Sequence, residues 1–323
     1  MARSKTNRAA LIGAGAALVG AGLAAFSQWA GRRAEREVPA DGQFVEVESG
    51  GIQARLHYVD VGQGPPIVMV HGLGGQLRNF TYALADKLAA HHRLVIIDRP
   101  RSGYSTVSAG VEPGLKDQAD LIAAAIRQLG IERPLLVGHS LGGAISLSLA
   151  LDHPGLVSGL ALIAPLTQPQ AEVPVAFRAL AASGASKVGR AFLANIVAVP
   201  LGTLSAKQTT AMVFAPETPP ADFATRGGGA LALRPGNVYA AAFEMQAASP
   251  EMEKIVARYG ELTLPVAILF AREDNILDYR LDGEKTAGAI ARVRLELVDG
   301  GHMLPVTQPD LTSRFIERAA TTR

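Results

Sequence analysis

The sequence predicts an α/β protein built on a mostly parallel, eight-stranded sheet with helices on both faces and one long helical insertion. Three observations predict this fold. Short, nearly continuous apolar runs alternate with helical patterns, which is typical of parallel strands buried on both faces. One run ends in a glycine-flanked serine, Gly138-His139-Ser140-Leu141-Gly142, directly before a helical pattern. The alternation then stops over residues 167–262, where no clear central strand occurs.

The individual elements follow from local periodicity. Two alternating runs at 44–47 and 52–61 predict an antiparallel pair, joined by a turn at Gly50-Gly51. The other six strands are predicted at the apolar runs 67–70, 94–97, 135–137, 160–163, 266–270 and 293–297. Helices are predicted at 80–89, 118–129, 144–151 and 283–290.

Residues 167–262 are predicted to form a helical cap. The segment has helical patches at 176–182, 188–197 and 239–246, separated by proline-rich and glycine-rich loops. It leaves the predicted sheet after the strand 160–163, at the edge where open α/β sheets bind ligands. A lid over that edge is therefore expected, inserted into a core formed by residues 38–166 and 263–323. A second domain with an unrelated role is the alternative.

Composition excludes several classes of function. The chain has no cysteine, which excludes disulfides, cysteine nucleophiles and thiolate metal sites. The net charge of +2 arises from six basic residues among the first 37, and the remaining chain has 25 basic and 27 acidic residues. No nucleic-acid partner is expected from so neutral a body. There is no His-Glu-x-x-His motif, clustered His/Asp set or dinucleotide or P-loop fingerprint, so we expect neither a catalytic metal nor a cofactor.

The N-terminal region contains an uncharged segment at residues 9–30. As a helix it is about 33 Å long, enough to span a bilayer core of about 30 Å. Trp29, the only tryptophan, lies at its end, where an interfacial anchor is expected. We expect residues 1–37 to be a transmembrane signal anchor and linker, with the catalytic body outside the cytoplasm. A cleaved signal peptide with export of the body, and a soluble helix, are the alternatives.

A strand, a Gly-x-Ser-x-Gly turn and a helix form the sequence signature of a nucleophile elbow, with Ser140 at its tip. Two further candidate groups follow predicted strands. Asp274 comes shortly after the strand 266–270, and His302 shortly after the strand 293–297. In a parallel sheet both groups return to the edge that carries the elbow. His302 is the only one of the seven histidines that follows the acid in the chain.

The chain resembles the α/β-hydrolase superfamily, in its capped, serine-nucleophile branch. The motifs that carry the resemblance occur in the family order from about residue 42 to 320: His71-Gly72-Leu73-Gly74-Gly75, Asp98-Arg99-Pro100 with Gly103-Tyr104-Ser105, the elbow, Ala271-Arg272-Glu273-Asp274 and Gly301-His302. The resemblance implies that the backbone N–H groups of Leu73 and Leu141 form an oxyanion hole. It also favours Asp274 as the triad acid, with Glu273 and Asp278 as the nearby alternatives, and Asp98 as a brace for the loop 99–105.

These residues predict a serine hydrolase. Ser140 would attack a carbonyl carbon, His302 would act as general base and acid, and Asp274 would orient the imidazole. The expected reaction is hydrolysis of a small or medium apolar ester through an acyl-enzyme. Carbon–carbon bond hydrolases, cofactor-free perhydrolases or haloperoxidases, and acyltransferases share the triad, and non-catalytic binding proteins share the fold.

The cap contains apolar residues with two possible roles. They either line an apolar substrate pocket or form the cap's own core. The set comprises Leu180, Ala181, Phe192, Leu193, Ile196, Val197, Met212, Phe214, Phe243 and Met245.

Overall fold

The computed structural model describes residues 2–181 and 186–321; the side chains of residues 2–12 and of residue 179 are outside the description. The strands are β1 Gln43–Ser49, β2 Ile52–Val61, β3 Pro66–Val70, β4 Arg93–Ile97, β5 Thr106–Val107, β6 Leu135–His139, β7 Gly159–Ile163, β8 Val266–Ala271 and β9 Val293–Val298. The helices are α1 Ala2–Glu37, α2 Arg78–Thr81, α3 Ala85–Leu88, α4 Leu115–Gln128, α5 Leu141–Asp152, α6 Arg178–Ala181, α7 Lys187–Phe192, α8 Val199–Phe214, α9 Pro235–Val256, α10 Leu304–Thr307 and α11 Pro309–Thr321.

The strands form one sheet in the order β1-β2-β4-β3-β6-β7-β8-β9, with β5 paired to β2 at one side. The β1–β2, β2–β4 and β2–β5 pairs are antiparallel, and all pairs from β4 to β9 are parallel. The predicted mostly parallel sheet is therefore confirmed. The short β5 is an additional strand that the sequence analysis missed, because two residues carry no periodic signal.

Alternate residues of the central strands enter two separate hydrophobic cores. Val68 and Val70 of β3 pack on one face with α4 and α5, whereas Ile67 and Met69 pack on the other with α2, α3 and α11. The strands are apolar on both faces because both faces are covered by helices. This packing brings the carboxyl ends of β3, β4, β6, β7, β8 and β9 to one edge.

Two helix predictions differ from the structure. The helix expected at 80–89 is divided into the short helices α2 and α3. The helix expected at 283–290 begins earlier, as a π-helical turn, Tyr279–Lys285, and ends after residues 286–287. The turn is displaced toward the N-terminus because the Asp278 carboxylate accepts from the backbone N–H of Arg280 and so caps it there. Asp282 within the turn is fully buried and bonds to the start of the insertion.

Residues 167–262, which we call the insertion, contain helices and no strand within their described parts, 167–181 and 186–262. Besides the helices, the described parts contain three short 3₁₀ turns, Val175–Phe177, Gly229–Leu233 and Tyr259–Glu261, and a π-helical stretch, Leu193–Ala198. The insertion contacts loops that follow the strands: Gln76 and Asn79, after β3, donate to the Gly227 carbonyl at 3.0 and 3.1 Å. It therefore lies over the carboxyl edge of the sheet.

The N-terminal helix α1 divides into two parts with different surroundings. Its end packs on the insertion: Ala34 and Val38, the residue just beyond the helix, are buried in a cluster with Leu231. Gln28 donates to Asn195 of the insertion at 3.0 Å. Residues 13–19, in contrast, are all exposed. Among the described side chains of the helix, from residue 13 onward, the buried and half-buried ones lie in its second half.

Candidate active site

Ser140 lies at a strained turn between β6 and α5. Its φ of 54° and ψ of −122° place it outside the regions that side-chain-bearing residues usually adopt, at a cost of about 1–3 kcal/mol. The turn is this tight because Gly142 lets α5 approach β3: a Cβ at Gly142 would lie 2.1 Å from the Val70 carbonyl oxygen. The strand, turn and helix therefore form the elbow that the motif predicted.

Asp274 and His302 are joined by a hydrogen bond at the same edge. His302 Nδ1 lies 2.7 Å from Asp274 Oδ2, and the two side chains are 5% and 0% exposed. The other carboxylate oxygen accepts from the N–H groups of Ile276 and Leu277 at 2.8 and 3.1 Å. These backbone donors fix the carboxylate, which in turn orients the imidazole through Nδ1.

The two alternative acids are engaged elsewhere. Asp278 accepts from the Arg280 N–H at 2.9 Å, and Glu273 accepts from the Gly300 N–H at 2.6 Å. Both stabilise local turns. Of the three carboxylates considered from sequence, Asp274 is the one that contacts His302.

His139, the residue before Ser140, links the elbow to the histidine loop. Its Nε2–H donates to the His302 carbonyl at 3.0 Å, and the two imidazole rings lie 5.0 Å apart. Burial lowers the pKa of His139 from 6.5 to about 3, with a further contribution from the nearby His302. His139 is therefore neutral at physiological pH, and adds no positive charge beside His302.

The two backbone N–H groups that the resemblance implies for an oxyanion hole belong to segments next to Ser140. Leu141 is the first residue of α5, where N–H groups have no acceptor within the helix. Leu73 follows Gly72, which touches the elbow: a Cβ at Gly72 would lie 2.8 Å from Ser140 Cβ and 3.3 Å from Ser140 Oγ. The loop after β3 and the start of α5 thus flank the Ser140 hydroxyl.

Asp98 braces the loop that follows β4, in agreement with the sequence interpretation. The side chain is fully buried, and its two oxygens accept from the N–H groups of Leu77 and Tyr104 at 2.7 and 2.9 Å. It also bonds to His57 Nδ1 at 2.7 Å. These contacts account for Asp98 without a catalytic role.

A buried charged cluster next to the site was not found from sequence. Arg99 is fully buried, and its guanidinium binds Glu244 of α9 in a bidentate pair at 2.7 and 3.1 Å. It also donates to Gln118 at 2.7 Å and to the Gly72 carbonyl at 3.1 Å. Arg99 and Glu244 are 145 residues apart, so no local pattern in the sequence connects them.

A second buried carboxylate holds the start of the insertion. Asp282 accepts from the N–H groups of Thr167 and Gln168 at 2.8 and 3.0 Å and from the Gln170 side chain. Burial raises the pKa of Asp282 from 3.8 to about 6, and these hydrogen bonds oppose that rise. Tyr259 donates to the Thr167 carbonyl from the far end of the insertion. The two ends of the insertion are therefore tied together beside β7.

The apolar residues of the insertion do not share one environment. Phe214 is 1% exposed and packs with Met303 and Val306, beside His302. Phe192 is 59% exposed and faces outward. Neither of the two roles considered from sequence, pocket lining or a common core, applies to the whole set.

Within the described residues, 2–181 and 186–321, no group of three or more His, Asp or Glu side chains could hold a metal ion.

The comparisons with known proteins identify the fold and a family. Residues 65–309 match the family described as alpha/beta hydrolase fold. The chain is similar to 2-hydroxy-6-oxo-2,4-heptadienoate hydrolase of Pseudomonas putida, with 34% identity over 119 residues, 36% of this chain and 42% of that protein. The matched segments span less than half the length of the curated relatives.

Two solved structures share the fold over most of the chain. A thermophilic esterase from Thermogutta terrifontis has a TM-score of 0.67 and 23% identity, covering 87% of this chain and 98% of its own. A bacterial membrane phospholipase A has a TM-score of 0.61 and 19% identity, covering 99% of this chain and 98% of its own. At these identities the likeness is one of fold.

Proposed function

Because the chain belongs to the α/β-hydrolase family, we propose that it is a serine hydrolase that cleaves carboxylic esters through an acyl-enzyme. The observation that carries this proposal is the 2.7 Å Asp274–His302 hydrogen bond at the edge that bears the strained Ser140 elbow. An ordered acid–histidine pair beside a serine at a sharp turn is the arrangement that activates a hydroxyl for acyl transfer.

The reaction divides into two displacement steps. His302 Nε2 takes the Ser140 proton as Oγ attacks the carbonyl carbon, and it then gives that proton to the leaving alkoxide. The resulting ester on Ser140 is cleaved by water, which His302 deprotonates in the same way. Asp274 holds the Nδ1–H tautomer and stabilises the imidazolium in both steps.

The oxyanion of each tetrahedral intermediate is proposed to bind the N–H groups of Leu73 and Leu141. Leu73 lies in the loop after β3, and Leu141 is the first residue of α5, so both are next to Ser140. Their N–H groups are backbone donors that need no reorganisation during the reaction. Such donors typically contribute on the order of 100-fold or more in rate each.

We propose an apolar acyl or aryl ester as the substrate class. Phe214 of the insertion packs on Met303, the residue after His302, and one fold relative is an esterase. Carbon–carbon bond hydrolysis is the second candidate, favoured by the curated relative that hydrolyses 2-hydroxy-6-oxo-2,4-heptadienoate. Both reactions need an activated Ser140 and an oxyanion site, so they differ in substrate rather than in machinery.

We also propose that α1 anchors the protein in a membrane, with the body on the extracytoplasmic side. Residues 13–19 are exposed and uncharged, and Leu18 and Val19 are 75% and 63% exposed. Among residues with described side chains, one helical stretch, Lys187–Phe214, is long and apolar enough to cross a membrane. Of its most apolar 18-residue window, 17% is buried. The predicted span 9–30 begins outside that set.

The position of Lys187–Phe214 favours contact with the same bilayer. It includes α8, which contacts α1. Large exposed apolar patches usually mark interaction surfaces. We therefore interpret this stretch as an outer surface that lies near the lipid rather than as a second span.

A panel of p-nitrophenyl esters of increasing chain length tests the catalytic proposal. We expect turnover by the wild type, and a loss of at least about 1,000-fold in kcat for Ser140→Ala. Asp274→Asn and Asp278→Asn form a matched pair: the first should lose about 10,000-fold and the second less than about twofold. Equal losses in the pair would contradict the assignment of Asp274. Turnover of a vinylogous 1,5-diketone but of no ester would instead support carbon–carbon bond hydrolysis.

Flotation with lipid vesicles tests the anchor. The full chain is expected to float, and a variant lacking residues 1–26 is expected to stay in solution while keeping ester turnover. The deletion ends at 26 because residues 27–38 pack on the insertion. A truncated variant that floats as well as the full chain would overturn the assignment.

A periplasm-only reporter fused to the C-terminus tests the orientation in the membrane, and an inactive fusion would contradict an extracytoplasmic body.

A further inference from the structure

The peptide between Gly72 and Leu73 has a heavily bonded carbonyl. Its oxygen accepts from Arg99 Nη2 at 3.1 Å, from His71 Nδ1 at 2.9 Å and from the Gly75 N–H at 3.2 Å. A peptide unit is planar, with C=O and N–H pointing in opposite directions. Whatever fixes the Gly72 carbonyl therefore also fixes the direction of the Leu73 N–H.

Arg99 is held in place through both its backbone and its side chain. Its backbone N–H donates to His71 Nε2 at 3.0 Å, which leaves Nδ1 of His71 as the donor to Gly72. Its guanidinium is clamped by both oxygens of Glu244 and by Gln118 Oε1. The side chain is 0% exposed, so water is not available to replace these partners.

Arg99 affects the Gly72–Leu73 peptide through its charge as well as through its position. A cation that donates to a carbonyl oxygen polarises the whole amide and strengthens its N–H as a donor. The effect is large here because the group is buried, where electrostatic interactions are weakly screened. His71 adds no charge, because burial and the nearby Arg99 lower its pKa well below 6.5.

Glu244 belongs to the insertion, on α9, whereas Gly72 and Arg99 belong to the core. Gln118 of α4 completes the cluster by donating to Glu244 Oε1 at 2.9 Å. The carboxylate that orients Arg99 is therefore delivered by the insertion. When α9 is displaced, Arg99 loses its charge partner, and the Gly72 carbonyl keeps His71 and Gly75 as donors but loses its ordered cationic donor.

We propose that Arg99 is a positioning residue for the oxyanion hole and that Glu244 holds it in place, so that the hole is complete only while α9 is seated. The inference rests on the proposed function, because it assigns the Leu73 N–H to the oxyanion. It adds a coupling between the insertion and the chemistry of the core. Opening of the insertion would then weaken catalysis as well as uncover the site.

A purely structural role makes a different prediction, and α9 offers the matched control. Glu251, two turns after Glu244, also ties α9 to the core: its carboxylate accepts from the N–H groups of Leu115 and Lys116 at 2.6 and 3.3 Å. Both of these donors belong to the start of α4. Glu251→Gln therefore weakens a different polar contact between α9 and the core and leaves the Glu244–Arg99 pair, which acts on the Gly72 peptide, in place.

The experiment compares Glu244→Gln with Glu251→Gln in the full chain. Ester turnover is measured together with inhibition by a trifluoromethyl ketone, whose hemiketal places an oxyanion in the hole. Glu244→Gln is expected to lower kcat about tenfold or more with KM within about twofold, and to raise the inhibitor Ki by a similar factor. Glu251→Gln is expected to keep kcat and Ki within about twofold of the wild type.

Equal losses in the two variants, or an unchanged Ki in Glu244→Gln, would overturn the proposal. If Glu244→Gln does not fold, as judged by circular dichroism, Arg99→Lys carries the same test, because one ammonium group cannot reproduce the fork that joins Gly72 and Glu244. Arg99→Lys with kcat and Ki unchanged would overturn it too. Absence of turnover in the wild type would instead contradict the proposed function, so the two failures are distinguishable.

Discussion

Two helices of the insertion distribute their side chains in opposite ways. α9 buries charge: Glu244 is 4% exposed and paired with Arg99. α8 exposes apolar residues: Leu201 and Leu204 are 59% and 85% exposed. A buried carboxylate requires a specific partner, whereas an exposed leucine does not. The orientation of α9 is therefore fixed by its ion pair with Arg99 at the catalytic edge, whereas α8 provides an outer surface.

The largest effect that the comparison predicts is on stability at Glu244. Removal of one partner of a buried ion pair leaves an uncompensated charge, so Glu244→Ala should lower the free energy of unfolding by about 3–5 kcal/mol. Glu253→Ala, at an exposed position of the same helix, should change it by less than about 0.5 kcal/mol. Urea denaturation measures both. Similar values for the two variants would remove the distinction between the buried and exposed faces of α9.

Asp282, which clamps the start of the insertion, predicts a pH effect. Its pKa is about 6 in the folded protein and 3.8 when unperturbed, so its contribution to stability is fully present below pH 3.8 and is lost as pH rises through 6. The full change is up to about 3 kcal/mol. Asp282→Asn should abolish this loss between pH 4 and 6. An unchanged pH profile of thermal unfolding in the variant would contradict a protonated Asp282.

His139 predicts an effect of opposite sign. Its pKa is about 3 in the folded protein and 6.5 when unperturbed, so its contribution is fully present above pH 6.5 and is lost as pH falls. The loss should be about 2 kcal/mol at pH 5. In His139→Gln, whose amide can still donate to the His302 carbonyl, this part of the pH dependence should disappear. Identical acid sensitivity of variant and wild type would show that His139 is not buried in its neutral form.

The smallest effect is expected on α8. Leu204→Ser should change the free energy of unfolding by less than about 0.5 kcal/mol, because the side chain is 85% exposed. Vesicle flotation of the full chain should also be unchanged, because α1 provides the anchor and α8 only lies near the lipid. Calorimetry and vesicle flotation of the same preparation separate the two readouts. A large loss of stability would mean that Leu204 is a packing residue.

Much of the fold was predictable because its signals are local. Apolar runs located the eight longer strands, and the Gly50-Gly51 turn between β1 and β2 was expected from its two glycines, whose φ values are 57° and 78°. The elbow was predictable for the same reason: a tight strand-to-helix turn requires small residues two positions before and after Ser140, here Gly138 and Gly142. These features depend on residues within a few positions of one another.

The parts that sequence reasoning left open or missed depend on distant residues. The resemblance favoured Asp274 over Asp278, four positions away, and in the folded loop Asp274 is the one that bonds to His302. Arg99 and Glu244 lie on different elements of core and insertion, so their pairing follows from how α9 packs. Apolar residues of α9 such as Ala248 and Met252 also pack on the core, but no local periodicity in the sequence encodes the ion pair.

Labelling with a fluorophosphonate probe, which reacts with activated serines, tests most directly whether Ser140 is the nucleophile. We predict rapid labelling of the wild type at a peptide that contains Ser140. Labelling should be abolished in Ser140→Ala and strongly slowed in His302→Ala. No labelling of the wild type, or equal labelling of Ser140→Ala, would contradict the claim that Ser140 is a catalytic nucleophile.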